Sequence, residues 1–401
     1  MRIGLFTDQY YPFISGVVTS VKMLYEGLTA LGHECYIFTS ADEKIVENEQ
    51  EYKTKNIINI PGRPYPFKSI RDYRYTFTHK KFIKIVKEYN LDIIHIHTEY
   101  NIAKLAMKSS KKLNIPVVHT LHTLWSDYIK YLFPFLDKHF HGFCMWLLRT
   151  MFTKKIGKIA SCQIVPTKKV LAGAKDYSLG KNIKVIPTGI ELGRFEPNNF
   201  SEDDIRDLRN KLGIKPEQFV YLFVGRTSKE KDIPILLEAF AKAHKDNDGM
   251  VFLLVGGGPE LPELKELANK LGIEKQVIFT DLIPWNDVPL YYQLGNVFLN
   301  ASKSETQGLT YIEALTSSLP ILVQKDECLD DVLQDYKNGI FFDGLDDLVS
   351  KMNEITTNKE LLLEIKNNTK QSVEKYSKEA YSKAILDTYI EVVEKNKIKK
   401  K

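Results

Sequence analysis

The sequence predicts an α/β protein of two consecutive doubly wound domains, and three observations support this fold class. Short runs of apolar or β-branched residues alternate with helical patterns along most of the chain, as in repeated βα units. Several of these runs are apolar throughout, which is typical of a parallel sheet that is covered on both faces. The pattern starts again after residues 186–191, and 401 residues are enough for two or three domains of roughly 100–200 residues.

In the first half, each predicted strand leads through a turn into a helical pattern. The segment Thr19–Leu31 has Val21, Leu24 and Leu28 at the spacing of one helix face, and Ile102–Leu113 has the same period. The predicted strands are Arg2–Phe6, Glu34–Phe38, Ile57–Ile60, Asp92–Ile96, Val117–Thr120 and Cys162–Val165.

The second half repeats this organisation and then becomes helical. From Asn358 onward only helical patterns remain, and they end in a Lys-rich tail. We therefore expect a first domain over 1–187, a second over 188–375, and a terminal helix over 376–401 that packs back on the first domain. The predicted strands are Phe219–Val224, Val251–Val255, Val277–Phe279, Val297–Asn300, Ile321–Val323 and Ile340–Phe341.

The overall composition excludes several classes of protein. Hydrophobic residues make up 43% and charged residues 27% of the chain, unlike disordered, fibrous or collagen-like proteins. No stretch reaches the roughly 18 consecutive apolar residues that a membrane span needs. Asp8 comes too early for the apolar region of a signal peptide. The four cysteines are far apart and form no CxxC pair, which indicates reduced thiols and a cytoplasmic location.

Charge is distributed unevenly between the two halves. Residues 1–187 carry 28 Lys and Arg against 15 Asp and Glu, a balance of +13, although the whole chain has a net charge of +5. Residues 188–401 carry 28 against 36, a balance of −8. A basic first half is expected to face an anionic surface. A generally Lys-rich composition would explain the abundance of lysine but not this division.

The most informative motif of the second half is the segment 304–314. The predicted strand Val297–Asn300 leads into a loop with Glu305, and Gly308 opens a helix whose second turn carries Glu313. Free N–H groups at a helix start bind anions, and a glycine lets a phosphate approach the backbone. The two carboxylates suit the sugar and ribose hydroxyls that flank a diphosphate. From spacing alone, Glu305 remains open as an ordinary loop carboxylate and Glu313 as a helix-dipole partner.

Two further strand ends of the second half carry glycine-containing loops. Arg226 follows Phe219–Val224, and Lys231 comes five residues later. Two cations placed in this way can hold a diphosphate without a metal ion. The segment is not a P-loop, and the glycines of 256–258 lack the GxGxxG order, so they predict a tight turn.

Five residues of the second half, together with their order along the chain, resemble the donor site of the retaining glycosyltransferases of family four. The signature of that family is a Glu, seven residues and a second Glu, which is the spacing of Glu305 and Glu313. The resemblance covers nearly the whole chain and implies the GT-B fold, in which two facing Rossmann-like domains hold the donor in the cleft between them, with helices at the C-terminal end. The five residues are Arg226, Lys231, Glu305, Gly308 and Glu313.

The resemblance implies which groups bind the nucleotide diphosphate. Arg226 and Lys231 would hold it through their charges. Backbone N–H groups around Gly16, Gly308 and Leu309 would meet the phosphates. No cofactor is implied, and the expected donor substrate is UDP-glucose.

The same resemblance implies how the sugars are held. Glu313 would bind the ribose, and Glu305 would bind a hydroxyl of the donor sugar. Gln307 stands where the family often has Phe, and Ser15 stands where it often has a second Gly. The run 307–311 looks like the subgroup that glucosylates diacylglycerol.

Four histidines of the first half are predicted to cluster at the ends of two adjacent strands, with Asp8 and Glu99 nearby. The two in His95-x-His97 lie on one face of a strand, as in a metal site. We nevertheless predict no metal, because family relatives need none, and we expect His95 and His119 to be core histidines with satisfied hydrogen bonds. The four are His95, His97, His119 and His122.

The resemblance gives His122 a place beside the donor sugar. Retaining transfer builds positive charge on the anomeric carbon and negative charge on the leaving phosphate, so fixed groups around these charges are the expected catalysts. The predicted catalytic residues are His122, Glu305 and Asp8. Asp8 and Glu99 are expected to face the acceptor hydroxyl.

Two segments of the first half, Pro64–Lys87 and Tyr131–Lys158, interleave aromatic and basic residues with few acids. This composition is typical of a segment that inserts apolar side chains into an anionic membrane surface. Packing of the same aromatics within their own domain is the open alternative for any one of them. Nucleic acid is not expected as a partner, because no nucleic-acid-binding motif is present and the acidic second half would repel a duplex.

The sequence thus predicts a retaining glycosyltransferase at the inner face of the cell membrane. It would transfer glucose from UDP-glucose to the 3-hydroxyl of 1,2-diacylglycerol and give an α-monoglucosyl lipid. One alternative keeps this chemistry with phosphatidylinositol, another glycolipid or a soluble saccharide as acceptor. Another is a non-catalytic, membrane-associated sensor of nucleotide sugars.

Overall fold

The computed structural model divides the chain into two compact units. Unit 1 is Met1–Ile190 together with Ser377–Lys401, and unit 2 is Glu191–Tyr376. The division therefore lies three residues after the boundary expected from the sequence, and the C-terminal segment belongs to unit 1. The structure describes residues 1–13, 15–48, 50–65, 74–76, 79–122, 142–143, 145–146, 149–175, 177–245 and 247–398.

The main sheet of unit 1 has seven parallel strands in the part of the chain that is described, in the order β3-β2-β1-β6-β7-β8-β9. A separate antiparallel pair is formed by β4 and β5. The strands are β1 (Arg2–Phe6), β2 (Glu34–Thr39), β3 (Ile57–Asn59), β4 (Arg63–Pro64), β5 (Arg74–Tyr75), β6 (Ile93–Ile96), β7 (Val117–Thr120), β8 (Cys162–Val165) and β9 (Ile183–Val185).

Helices cover both faces of this sheet, which explains why its central strands are apolar throughout. Ile3 and Leu5 of β1 pack with the helices Gly16–Ala30 and Lys378–Ile398. Phe6 of β1 packs on the other face. The described part of unit 1 contains the helices Gly16–Ala30, Glu43–Asn48, His79–Glu88, Asn101–Leu113, Lys154–Ile159, Lys168–Ala172 and Lys378–Ile398, with a π-helical turn at Arg149–Thr153.

The C-terminal helix Lys378–Ile398 is an integral part of unit 1. The Tyr381 hydroxyl lies 2.8 Å from the Ser20 hydroxyl. Lys184 forms an ion pair with Glu391 at 2.6 Å. Both contacts tie the end of the chain to elements from its first half.

The sheet of unit 2 has six parallel strands among the described residues, in the order β12-β11-β10-β13-β14-β15. All six predicted strands are present, and three of them extend one or two residues further than expected. The strands are β10 (Phe219–Val224), β11 (Met250–Val255), β12 (Val277–Phe279), β13 (Val297–Asn300), β14 (Ile321–Gln324) and β15 (Gly339–Phe342).

The core of unit 2 lies between this sheet and its helices. Phe223 and Phe252 are fully buried in one cluster with Leu236, Phe240 and Leu348 from two of the helices. The helices are Glu202–Lys211, Ile233–His244, Leu261–Lys270, Val288–Tyr292, Leu309–Thr316, Leu345–Thr357 and Lys359–Asn368.

The strand order of both sheets confirms the predicted class of two doubly wound α/β domains. In unit 1 the order reverses between β1 and β6, and in unit 2 it reverses between β10 and β13. Ligands of open α/β sheets bind beyond the carboxyl ends of the strands at this switch point. The loops that follow β1, β6, β10 and β13 are therefore where the candidate residues must be sought. Within the described ranges, no helix combines the length and the apolar character needed to cross a bilayer.

Candidate functional site

The switch point of unit 2 brings together the two loops that the sequence singled out. Arg226 follows β10 directly after Gly225, and its side chain is exposed. No residue in the described part of the chain forms an ion pair with Arg226. The hydroxyl of Ser302, just after β13, donates to the carbonyl of Glu230 at 3.1 Å and so joins the loop after β13 to the loop after β10.

Lys231 and Glu305 form a direct ion pair across these two loops. Their side chains are only 20% and 14% exposed, respectively. Lys231 ends a short 3₁₀ turn after β10, and Glu305 lies in the loop after β13. Two residues that are 74 positions apart in sequence are therefore in contact because β10 and β13 are neighbours.

Gly308 holds the start of the helix Leu309–Thr316 in a backbone conformation that favours glycine. Its φ is +73°, and a Cβ at this position would lie 2.3 Å from the ring of Tyr311. Leu309 is the first helical residue. The N–H of Tyr311 donates to the carbonyl of Gly308 at 3.1 Å. The first N–H groups of a helix have no i−4 partner within it, so the N–H groups at the very start of this helix can donate to an anion.

Glu313 lies one turn into the same helix and is held by a residue that the sequence did not single out. The hydroxyl of Tyr292 donates to Glu313 Oε2 at 2.7 Å. Burial raises the pKa of Glu313, whereas the hydrogen bond from Tyr292 and the charge of Arg194 lower it. Arg194 itself stacks on Trp285, with its guanidinium 3.3 Å from the ring centroid.

Tyr292 and Arg194 could not have been assigned from a motif. Tyr292 ends the short apolar helix Val288–Tyr292, and Arg194 lies in a 3₁₀ turn near the start of unit 2. Neither segment contains a recognisable pattern, and each reaches Glu313 only through the packing of the fold.

The glycines at 256–258 support the loop that carries Arg226. The N–H of Thr227 donates to the carbonyl of Gly257 at 3.0 Å, and the N–H of Glu260 donates to the carbonyl of Thr227 at 3.1 Å. A Cβ at Gly256 would lie 2.1 Å from the carbonyl oxygen of Gly225. The two loops thus pack backbone against backbone.

In unit 1, Asp8 lies at the switch point but its carboxylate is occupied by groups of its own chain. It accepts from the Thr98 hydroxyl at 2.6 Å and from the N–H of Ile102 at 2.8 Å. Burial raises the pKa of Asp8 to about 6, against the lowering effect of these hydrogen bonds. Asp8 therefore joins the end of β1 to the start of the helix Asn101–Leu113.

Glu99 and His119 belong to a buried polar network at the next strands. The N–H at His119 Nε2 donates to Glu99 Oε1 at 3.2 Å, and His119 Nδ1 lies 3.2 Å from the side-chain amide of Gln163. His95 lies 2.6 Å from the Tyr389 hydroxyl and 2.7 Å from the Thr120 hydroxyl. Both histidines thus have partners on both ring nitrogens, which confirms the interpretation as core histidines.

His122, the predicted catalytic histidine, lies beside His97. His97 Nδ1 is 3.1 Å from His122 Nε2, and the two rings meet edge to edge, with centroids 5.4 Å apart and planes within 18° of each other. Burial lowers the pKa of His122 to about 3, so its imidazole is neutral. Among the described residues, no group of three or more potential ligands has the arrangement of a metal site.

Gly16 is the first residue of the helix Gly16–Ala30, and it is exposed. The hydroxyl of Ser15 caps this helix by accepting from the N–H of Val18 at 3.3 Å. Ser15, which departs from the pattern of the family, therefore has a capping role of its own.

The two interfacial segments are described only in part. Lys80, Lys84 and Lys87 are exposed on the helix His79–Glu88. Phe82 was expected at the membrane surface, but it is 4% exposed and packs in the core, because Phe82 and Val86 lie one turn apart on the inner face of this helix. The following predicted interfacial residues lie outside the described residues: Phe67, Lys68, Arg71, Tyr73, Phe77, Tyr131, Phe133, Phe135, Phe140, Leu147 and Leu148, with the side chains of Met151 and Phe152.

Two aromatic residues of the second segment are exposed. Phe143 is 60% and Trp146 is 51% exposed, and their rings stack with centroids 5.8 Å apart. Lys154, Lys155 and Lys158, further along the chain, are exposed as well.

Comparison with known proteins agrees with the resemblance seen in the sequence. Residues 14–194 match the family described as Glycosyltransferase Family 4, and residues 204–372 match the family described as Glycosyl transferases group 1. The alpha-monoglucosyldiacylglycerol synthase of Acholeplasma laidlawii is 38% identical over 396 residues, which are 99% of this chain and 98% of the relative. The enzyme of the same name from Streptococcus pneumoniae is 38% identical over 349 residues, which are 87% of this chain and 76% of the relative.

Solved structures share the architecture at lower identity. A crystal structure of Anabaena HepE in complex with UDP aligns with a TM-score of 0.75 and 19% identity, covering 97% of this chain and 99% of HepE. HepE in complex with UDP-glucose aligns with a TM-score of 0.74 and 18% identity over the same shares of the two chains. With the GT-B fold and this identity over nearly its whole length, the chain belongs to the glycosyltransferase family that includes the alpha-monoglucosyldiacylglycerol synthases.

Proposed function

We propose that this glycosyltransferase transfers glucose from UDP-glucose to the 3-hydroxyl of 1,2-diacylglycerol and keeps the anomeric configuration of the donor. The product would be an α-monoglucosyl lipid. The names of the two relatives at 38% identity support the acceptor and the sugar. The UDP and UDP-glucose complexes of HepE, which shares the fold, support the donor.

One observation carries the donor part of the proposal. At the switch point of unit 2, exposed Arg226, the Lys231–Glu305 pair and the helix that begins after Gly308 lie on the neighbouring loops after β10 and β13. Two cations and a helix start together match the charge and the oxygen atoms of a diphosphate. They provide the positive charge that the leaving UDP requires, so we propose that no metal takes part in the transfer.

The carboxylates would hold the sugars of the donor. Glu313, fixed by Tyr292, would accept from ribose hydroxyls, and Glu305 would accept from a hydroxyl of glucose. Since carboxylate oxygens accept two or more hydrogen bonds, each can serve a ligand and a partner within the chain at once. In unit 1, His122 would stabilise the reacting donor, and Asp8 and Glu99 would act on the acceptor side.

The acceptor requires the enzyme to work at a lipid surface. We propose that unit 1 binds the cytoplasmic face of the membrane through its basic and aromatic segments. Exposed Phe143 and Trp146 and the exposed lysines of the helix His79–Glu88 support this. Each basic residue near an anionic leaflet contributes about 1 kcal/mol to binding.

The variant Glu305→Ala tests the proposed role of Glu305 in sugar transfer. The variant should lose transfer from labelled UDP-glucose to diacylglycerol in vesicles, whereas its binding to the same vesicles should be unchanged. Asp346→Ala is the matched control, because it breaks the Lys242–Asp346 ion pair of the same unit, in which the Asp346 side chain is 93% exposed. Undiminished transfer by Glu305→Ala would show that the assignment is wrong.

The choice of acceptor and donor is tested with two panels. Diacylglycerol, phosphatidylinositol, a glycolipid and a soluble saccharide are compared with one donor, and UDP, GDP and ADP sugars are compared with diacylglycerol. Lipid-soluble label with diacylglycerol, increased by anionic lipid and reduced by salt, is the expected result. Binding of UDP-glucose without transfer to any acceptor would favour a nucleotide-sugar sensor instead.

A further inference from the structure

A row of three imidazoles in unit 1 ends at the predicted catalytic histidine. The rings of His95 and His97 are in contact, with centroids 4.0 Å apart and ring planes tilted by 40°. The rings of His97 and His122 meet edge to edge through His97 Nδ1 and His122 Nε2, with ring planes within 18° of each other. His95 is fixed by its contacts with Tyr389 and Thr120. The N–H of His97 donates to the carbonyl of Phe6 at 2.9 Å, which fixes its backbone.

The contact between His97 and His122 involves one hydrogen atom that either residue can supply. A neutral imidazole has one N–H and one bare nitrogen, and burial lowers the pKa of both residues. Across the 3.1 Å between His97 Nδ1 and His122 Nε2, one of the two nitrogens therefore carries the hydrogen and the other accepts it. The choice determines the tautomer of both rings.

The surroundings of His97 favour one of the two arrangements. His97 Nε2 is buried and has no hydrogen-bond partner among the described residues. If His122 donated, His97 would carry its hydrogen on Nε2, and a buried N–H group would be left without an acceptor. Buried N–H groups without a partner are rare in native proteins. If His97 donates through Nδ1, its Nε2 carries no hydrogen, and no buried N–H group is left without an acceptor.

We infer that His97 is a positioning residue that donates its Nδ1–H to His122 Nε2 and thereby holds His122 in the tautomer with hydrogen on Nδ1. His122 then presents a fixed N–H at Nδ1, which is able to donate to an oxygen of a ligand. A donor held in place before reaction stabilises developing negative charge without a cost of reorganisation. This consequence for activity rests on the proposed function, but the tautomer itself does not.

The tautomer is measured directly in the full-length protein. The chain contains nine histidines, and ¹⁵N-labelled histidine gives separate signals for protonated and bare ring nitrogens in long-range ¹H–¹⁵N correlation spectra. His122→Gln identifies the signals of His122 by their loss. We expect the hydrogen of His122 on Nδ1 in the native protein. Hydrogen on Nε2 would overturn the inference, whatever the enzyme transfers.

Three variants at His97 separate hydrogen bonding from packing. The side-chain amide of His97→Asn places an N–H close to the position of Nδ1, whereas His97→Gln places its amide near Nε2 and His97→Leu has no donor. His97→Asn should keep the tautomer of His122 and most of the activity. The other two should lose the fixed tautomer and about 100-fold in kcat, with little change in KM for UDP-glucose, as expected for a displaced catalytic group.

The two kinds of readout keep this inference apart from the proposed function. Thermal unfolding of each variant shows whether the buried substitution has damaged the fold. An unchanged His122 spectrum in folded His97→Leu refutes the positioning role. If the native enzyme uses no UDP-glucose at all, the proposed function fails, and the spectra still decide the role of His97.

Discussion

Replacement of Gly308 by alanine tests the helix start at which the proposed anion site lies. The φ of +73° is in the left-handed region, where alanine costs about 1–2 kcal/mol. In addition, the new Cβ would lie 2.3 Å from the ring of Tyr311, which is fully buried. Relief of this overlap requires the ring and the start of the helix Leu309–Thr316 to move apart, and such overpacking costs about 1–3 kcal/mol.

A second glycine of the same unit separates the two costs. Gly272 has a φ of +71°, but a Cβ there would meet no atom within 4 Å. Gly272→Ala should therefore show only the backbone cost. Gly308→Ala should lower the free energy of unfolding by a further 1–3 kcal/mol or so, measured for both variants by chemical denaturation of the transition assigned to unit 2.

Binding of UDP, followed by calorimetry, extends the test from stability to the site. Because the first N–H groups of the helix follow Gly308, their displacement should weaken UDP binding by about tenfold or more, as a shift of about 1 Å in a positioned group does for catalysis. Gly272→Ala should bind UDP like the native protein. Equal stability and equal UDP affinity of the two variants would refute both the steric argument and the location of the anion site.

Three further predictions concern single charged or polar groups. Lys231→Met should reduce kcat/KM for UDP-glucose by about 10- to 100-fold, the equivalent of a charged hydrogen bond, because it removes the cation that contacts Glu305. Tyr292→Phe should raise the pKa of Glu313 further, since the lost hydrogen bond lowers it, and should raise KM for UDP-glucose about three- to tenfold. The pKa of Asp8 is raised from 3.8 to about 6 in the folded state, so its contribution to stability is complete below pH 3.8 and is lost as the pH rises through about 6. Asp8→Asn should abolish this part of the pH dependence, which amounts to about 3 kcal/mol for a shift of about two pKa units.

Controls and contrary outcomes are available for each of these predictions. Lys242→Met removes a lysine whose ion pair is exposed and should leave transfer unchanged, since surface pairs contribute about 0–1 kcal/mol. If Lys231→Met behaves like this control, Lys231 does not contact the donor. If Tyr292→Phe leaves KM for UDP-glucose unchanged, the hydrogen bond that holds Glu313 does not contribute to binding of the nucleotide. Parallel pH–stability curves for Asp8→Asn and the native chain, recorded between pH 4 and 7 or so, would show that Asp8 ionises normally.

The fold was predictable because its strands are buried on both faces. Such strands are continuous apolar runs that are easily recognised in the sequence, as in Phe219–Val224. The strand β9 (Ile183–Val185) was not predicted, because it is three residues long, lies at the edge of its sheet and contains a lysine. The antiparallel pair of β4 and β5 has two residues on each strand, too few to show a period.

Residues of the candidate site were predictable only where charged side chains follow predicted strands. Arg226, Lys231 and Glu305 follow strands, and the contact of Lys231 with Glu305 follows from the neighbouring positions of β10 and β13. Tyr292 comes from a short helix with no motif, and its contact with Glu313 depends on packing that no local pattern encodes. Phe82 shows the opposite error, because an amphipathic helix of the core has the same mixture of aromatic and basic residues as a membrane segment.

The contact between Lys231 and Glu305 couples the binding of the diphosphate to the transfer of the sugar. A diphosphate that binds Lys231 must share this cation with Glu305, and the negative charge of Glu305 opposes that of the phosphates. Removal of Glu305 should therefore leave UDP affinity unchanged or increase it, even though transfer is lost, whereas removal of Lys231 should weaken both. Opposite effects of Glu305→Ala and Lys231→Met on UDP binding would mean that Lys231 raises and Glu305 lowers the affinity for the diphosphate. Because interactions made in the transition state raise kcat more than uniform binding does, this arrangement favours turnover over tight binding of the leaving UDP.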